Sequence, residues 1–162
     1  MSESTGERLD GELAELLQEL RVVLPGVQVL FAFLLTAPFS PRFTEITAVQ
    51  RHGYFLSLLC ATAATTLLVA PTAHHRVLWR TRDKERLLRS ANVLVTVGIG
   101  FLALSMSSAL YVVTDFLFDA GEAVLTAAAT GAGFVLLWYV VPVVRRARRA
   151  TFGSANPTSR ES

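Results

Sequence analysis

Four long apolar tracts separated by short charged stretches organise this chain, at residues 22–39, 53–71, 91–114 and 122–144. A helix rising 1.5 Å per residue needs about 20 residues to cross a hydrocarbon core of roughly 30 Å, and each tract comes close to or exceeds that length. The tracts are continuous rather than alternating and too few to close a barrel, so they predict helices and not membrane strands. The first is the least regular, because Arg21 and Arg42 bracket it and Pro25, Gly26 and Gln28 interrupt it. Both arginines can reach outward to headgroups while residues 27–35 stay apolar, so it counts as a span. The expected fold is all-α, an integral membrane four-helix bundle.

Ahead of the first span the pattern changes from continuous to periodic. Leu9, Leu13, Leu16, Leu17 and Leu20 recur at helical spacing, with Glu7, Asp10, Glu12, Glu15 and Glu19 at the other positions. Residues 1–21 therefore read as an acidic amphipathic helix of about four turns. They lack a basic start, a short apolar run and a small-residue cleavage site, so no signal peptide is expected. Residues 22–144 form the membrane domain, and residues 145–162 a basic and then polar tail whose Ser, Thr, Asn, Pro and Gly content predicts disorder. Asp119 and Glu122, three apart, predict an N-cap for the fourth span; Pro41 follows the first span and Pro71 is expected to close the second.

Composition sharpens this into a membrane protein with a sidedness. The 162 residues are 52% hydrophobic and only 17% charged, with a mean hydropathy of +0.45. Thirteen of the fifteen Lys and Arg residues fall in the N-terminal segment, the middle loop and the tail, leaving only Arg42 and Arg51 for the first short loop and none for the second. Retained cytoplasmic loops carry the positive excess, so both termini are expected in the cytoplasm of a cell (inner) membrane protein. Tyr54 and Tyr111 at one side, with Trp79, Trp138 and Tyr139 at the other, suit interfacial belts. The single cysteine, Cys60, has no disulfide partner in the chain and reads as a small buried apolar residue.

Candidate chemistry is sparse. Residues 1–21 carry a net charge of −4 and residues 71–90 a net charge of +4. Both lie on the expected cytoplasmic side, so Glu12, Glu15 and Glu19 can dock on a face made by His74, His75, Arg76, Arg80, Arg82, Arg86 and Arg89. The plainer reading is two solvated charged faces, since exposed ion pairs contribute little. Within the first span, Arg21, Pro25, Gly26 and Gln28 could form a polar kink, or Gln28 could bond a neighbouring helix. Ser105, Ser107 and Ser108 with Gly98 and Gly100, and Ala127 with Gly131, point to close helix packing. Asp115, Asp119 and Glu122 make an outer acidic cluster that capping and solubility explain as well as cation attraction does.

His74 and His75 have no ligand at metal spacing, and no metal or other cofactor is expected. The basic Arg145, Arg146, Arg148 and Arg149 run reads as a topology signal and anchor for anionic lipid at the cytoplasmic face rather than a nucleic-acid patch.

The run ELRVVLPGVQVLFAFLLTAPFSPRF from Glu19 to Phe43, with APTAHHRVLWR from Ala70 to Arg80, resembles an uncharacterised family of small four-span membrane proteins common in actinobacteria. That resemblance implies the architecture and no assigned activity; some members carry the automatic name sodium:proton antiporter. Such antiporters use carboxylates at the membrane midplane, and the span centres here hold no Asp, Glu, Lys, Arg or His. The leading expectation is a non-enzymatic bacterial inner-membrane protein that is structural, regulatory or accessory to a larger complex. The alternative is a small ion or proton transporter or channel subunit, assembled as a homo-oligomer.

Overall fold

The computed structural model describes residues 2–78 and 84–144. Helix α1, Ser2–Thr36, joins the segment before the first span and the span itself into one element. Two 3-10 turns, Ala37–Phe39 and Pro41–Glu45, lead into α2, Ala48–Leu78. Then come α3, Lys84–Leu117, and α4, Ala120–Val135, whose helix continues through a π-helical turn at Leu136–Val140. The stretches long and apolar enough to cross a membrane are Ala14–Phe39, Ala48–Thr72, Arg89–Leu117 and Ala120–Val144. In hydrocarbon no water is present to bond peptide groups, so helices that satisfy their own backbones are the stable form for such tracts.

Proline does not end these helices as it would in water. Pro71 lies at the end of the second apolar stretch, Ala48–Thr72, as expected, but the helix itself runs through it to Leu78, and α1 likewise runs through Pro25. Each proline removes one intrahelical donor, and in a membrane that loss is tolerated where side chains or neighbours compensate. Beside Pro71, the Thr72 hydroxyl donates to the Val69 carbonyl at 2.6 Å, while the carbonyl that loses its helical donor is that of Leu67. Threonines on lipid-facing surfaces are treated the same way: Thr62 and Thr66 donate to the carbonyls of Leu58 and Thr62 one turn back.

The helices pack as an antiparallel series with α2 against α3 at its centre. Helix α1 rests on α2 and α3, and α4 touches α3 alone among the described helices. Leu20, Val27, Ala64, Leu68 and Leu102 form the core, flanked by Leu16, Leu17 and Leu24. The leucine stripe before the first span thus continues as the face of α1 that meets the other helices; Leu9 and Leu13 lie outside the described side chains. The outside is as apolar as the inside. Val22 is 78% exposed, and Phe33 and Leu125 are each 71% exposed. In water so much exposed apolar surface would drive association, whereas in a bilayer it faces lipid.

Candidate functional site

Polar side chains inside the spans are spent on joining helices. Ser57 of α2 and Ser105 of α3 are both fully buried and face each other. Each hydroxyl donates to the other residue's backbone carbonyl at 2.8 Å, with the two Oγ atoms 3.2 Å apart. One turn further along, Ser108 Oγ donates to the Gly53 carbonyl at 2.8 Å. These distances require small residues at the seam. A Cβ on Gly53 would lie 2.9 Å from Val112 Cγ2, and one on Gly98 would lie 3.1 Å from Leu68 Cγ. Without a hydrophobic force between helices in lipid, such close approach and interhelical bonding supply the association.

At the end of the molecule where α1 stops and α2 starts, a second set of bonds ties the helix ends. Thr47 and Gln50 form a reciprocal capping box: Thr47 N–H donates to Gln50 Oε1 at 2.9 Å and Gln50 N–H to Thr47 Oγ1 at 3.3 Å. The Gln50 amide also donates to Asp115 Oδ2 at 2.9 Å, joining the start of α2 to the end of α3. Tyr54 Oη donates to the Leu34 carbonyl at 2.6 Å. The helical partner of that carbonyl would be the N–H of residue 38, which is proline and has none. Tyr54 therefore replaces a donor that Pro38 deletes, while its ring meets Phe43 edge to face with centroids 5.0 Å apart.

Helix α4 is fixed to α3 at two levels. Gly131 lies beside Ser107, where a Cβ would be 3.5 Å from Ser107 Oγ. Near its far end, Tyr139 Oη donates to the Thr96 carbonyl at 2.8 Å. Gly100 makes room for that hydroxyl, which a Cβ there would approach to 2.8 Å. The π-helical turn precedes Pro142, and the Val141 N–H bonds the Leu136 carbonyl five residues back. A proline clashes with the carbonyl four residues before it, and a wider turn relieves that crowding while rotating Trp138 and Tyr139 on the helix.

Between the end of α1, the 3-10 turns, the start of α2 and the end of α3 lies an open cleft of about 500 Å³. Leu30, Phe33, Phe43, Tyr54 and Val113 contribute to its walls, and Arg42 is the single charged residue among its lining. Arg42 makes no hydrogen bond or ion pair with the described residues and is exposed.

The residues singled out from sequence are distributed as follows. Arg21, Pro25 and Gln28 are exposed on α1, and the space around Gly26 is open, so these four do not gather against another helix. Asp119 is the N-cap of α4, its carboxylate accepting from Gly121 N–H at 2.8 Å and Glu122 N–H at 3.1 Å. Glu122 is exposed in the first turn and returns no bond to Asp119, so the cap is one-sided. Asp115 is held by Gln50 rather than grouped with the other two. Glu15, Glu19 and Arg89 are exposed. The side chains of Glu12, His74, His75, Arg76 and Arg86, and all of Arg80 and Arg82, lie outside the described residues, and with them the docking of the acidic helix. No group of three His, Cys, Asp or Glu residues converges among the described residues. Sequence reasoning missed Ser57 and Gln50 and read Tyr54 and Arg42 only as residues of the membrane interface; the Thr47 and Gln50 spacing was a capping signal in plain view.

Four spans, an apolar exterior and polar groups consumed at helix seams define a multi-pass α-helical membrane protein. Residues 2–142 match the model of the family of unknown function DUF6328, and the chain belongs to that family. No curated protein and no solved structure matches it.

Proposed function

We propose that the chain is a non-enzymatic protein of a bacterial inner membrane whose part is structural, regulatory or accessory to a membrane complex. The observation that carries this is the fate of its intramembrane polar groups. Every buried side-chain nitrogen or oxygen among the described residues has a hydrogen-bond partner. The span centres carry no Asp, Glu, Lys, Arg or His. A proton or cation carrier needs groups that exchange partners with cargo, and intramembrane charges are the usual mark of such a path. The thirteen-to-two distribution of Lys and Arg supports an orientation with both termini in the cytoplasm, where the basic tail meets anionic lipid.

Reconstitution tests the reading. Vesicles holding the purified chain and loaded with a sodium or proton gradient are expected to leak no faster than empty ones, and mild solubilisation from membranes is expected to retain a partner protein. Gradient-driven flux that disappears in Asp115→Asn would replace this reading with the transporter one.

A further inference from the structure

We infer that the cleft beside Arg42 is a binding site for an anionic membrane lipid, with one acyl chain in the cleft and the headgroup phosphate at the guanidinium. The cleft is apolar along its length and carries a lone cation, the complement of a molecule with a hydrocarbon tail and a negative head. Its volume of about 500 Å³ lies within the roughly 300–1,000 Å³ of sites that enclose a ligand. The α3 wall runs from Ala109 to Leu117, about 12 Å at helical rise, close to half of a core of roughly 30 Å. A chain from one leaflet fits that depth.

The head end is equally specific. Arg42 follows Pro41 in the 3-10 turn Pro41–Glu45, at the level where the spans end. Its planar donors suit a phosphate, and no carboxylate among the described residues pairs with them. Nearby acids are otherwise engaged or elsewhere: Asp115 is bonded by Gln50, and Glu45 is exposed without an ion pair to Arg42. Under the orientation proposed above, this places the lipid in the leaflet away from the cytoplasm, opposite to the anionic lipid attracted by the basic tail. The inference rests on membrane residence and not on the accessory role, so ion flux in vesicles would overturn that role and leave the lipid site standing.

Native mass spectrometry of the full chain in mild detergent, titrated with phosphatidylglycerol or with phosphatidylcholine of the same acyl chains, reads the site. Wild type is expected to retain phosphatidylglycerol in preference. Arg42→Gln should lower that retention about fivefold, the weight of one interfacial cation on anionic lipid, and lower that of phosphatidylcholine less, because its phosphate is offset by its own ammonium. Val113→Trp, at a side chain 53% exposed, should fill the cleft and lower retention of both lipids. Arg51→Gln, outside the cleft, should lower neither. Unchanged retention in Arg42→Gln, an equal loss in Arg51→Gln, or full retention in Val113→Trp each overturns the site. Displacement of the lipid by an equal concentration of decanoate overturns its assignment to a membrane lipid in favour of a soluble amphiphile.

Discussion

The bond from Tyr54 to the Leu34 carbonyl makes a prediction in which two residues far apart in sequence compensate for each other. Tyr54→Phe keeps the ring against Phe43 and removes only the hydroxyl, so the change isolates one hydrogen bond of 2.6 Å. Leu34 is only 7% exposed, and with Pro38 in place its carbonyl has no helical donor to fall back on. Losing a partner from a buried acceptor costs about 1–3 kcal/mol, and bonds between membrane helices fall toward the lower end, so about 1–2 kcal/mol is expected. Pro38→Ala restores an N–H at the position that completes the α-helical bond to Leu34. By itself this change should be close to neutral, a gained donor offsetting a more flexible unfolded chain.

The double variant decides the matter. In the Pro38→Ala background Tyr54→Phe should cost about 0.5 kcal/mol or less, giving a coupling of about 1 kcal/mol in the double-mutant cycle. Reversible SDS unfolding in lipid–detergent micelles, followed by helical circular dichroism, measures all four corners. Equal costs of Tyr54→Phe in both backgrounds would refute the substitution of a side-chain donor for a missing backbone one.

Three further outcomes can be read in the same assay. Ser57→Ala should cost about 0.6 kcal/mol, the average for a membrane interhelical bond, while Ser57→Val should cost more, about 1–3 kcal/mol, by wedging α2 from α3; a Val variant no worse than Ala would mean the helices are not in close contact there. Gly100→Ala and Tyr139→Phe should each cost about 1 kcal/mol and the pair together little more, since both delete one bond; full additivity would count against Gly100 acting through Tyr139. Asp119→Ala should destabilise by about 1 kcal/mol and Asp119→Asn by much less, because either Asp or Asn can accept from the first-turn amides of α4; equal losses would point to charge rather than capping.

Length and hydropathy made the spans readable, and Asp119 announced its cap because N-capping is local chemistry. What could not be read was which faces meet. In water an amphipathic pattern marks the buried stripe, but here Val22 and Phe33 face outward while Leu20, Val27 and Leu34 face inward, and the two sets are equally apolar. The seam is marked by smallness instead, and Ser105, Ser107, Ser108, Gly98 and Gly100 were legible on those grounds, whereas Ser57 stands in a tract with several Thr and Ala residues. Tyr54 and Pro38 were out of reach because their relation exists only once α1 and α2 are set side by side. Pro71 misled for a related reason, since the rule that proline stops a helix presumes water to take up the alternative.

The arrangement of the helices also restricts where any activity of a single chain can reside. Helix α4 touches α3 alone, so the four spans enclose no central lumen among the described residues. Between α2 and α3 the Ser57 and Ser105 hydroxyls are each committed to a carbonyl 2.8 Å away, and the approach at Gly53 leaves no width for a water file. An ion crossing here would have to break those bonds and take their place without any charged group to stabilise it, a cost that intramembrane carriers meet with carboxylates or cations this chain lacks at its span centres. Among the described residues the chain offers a lipid-facing perimeter and a cleft where an apolar wall meets Arg42, which pairs with none of them.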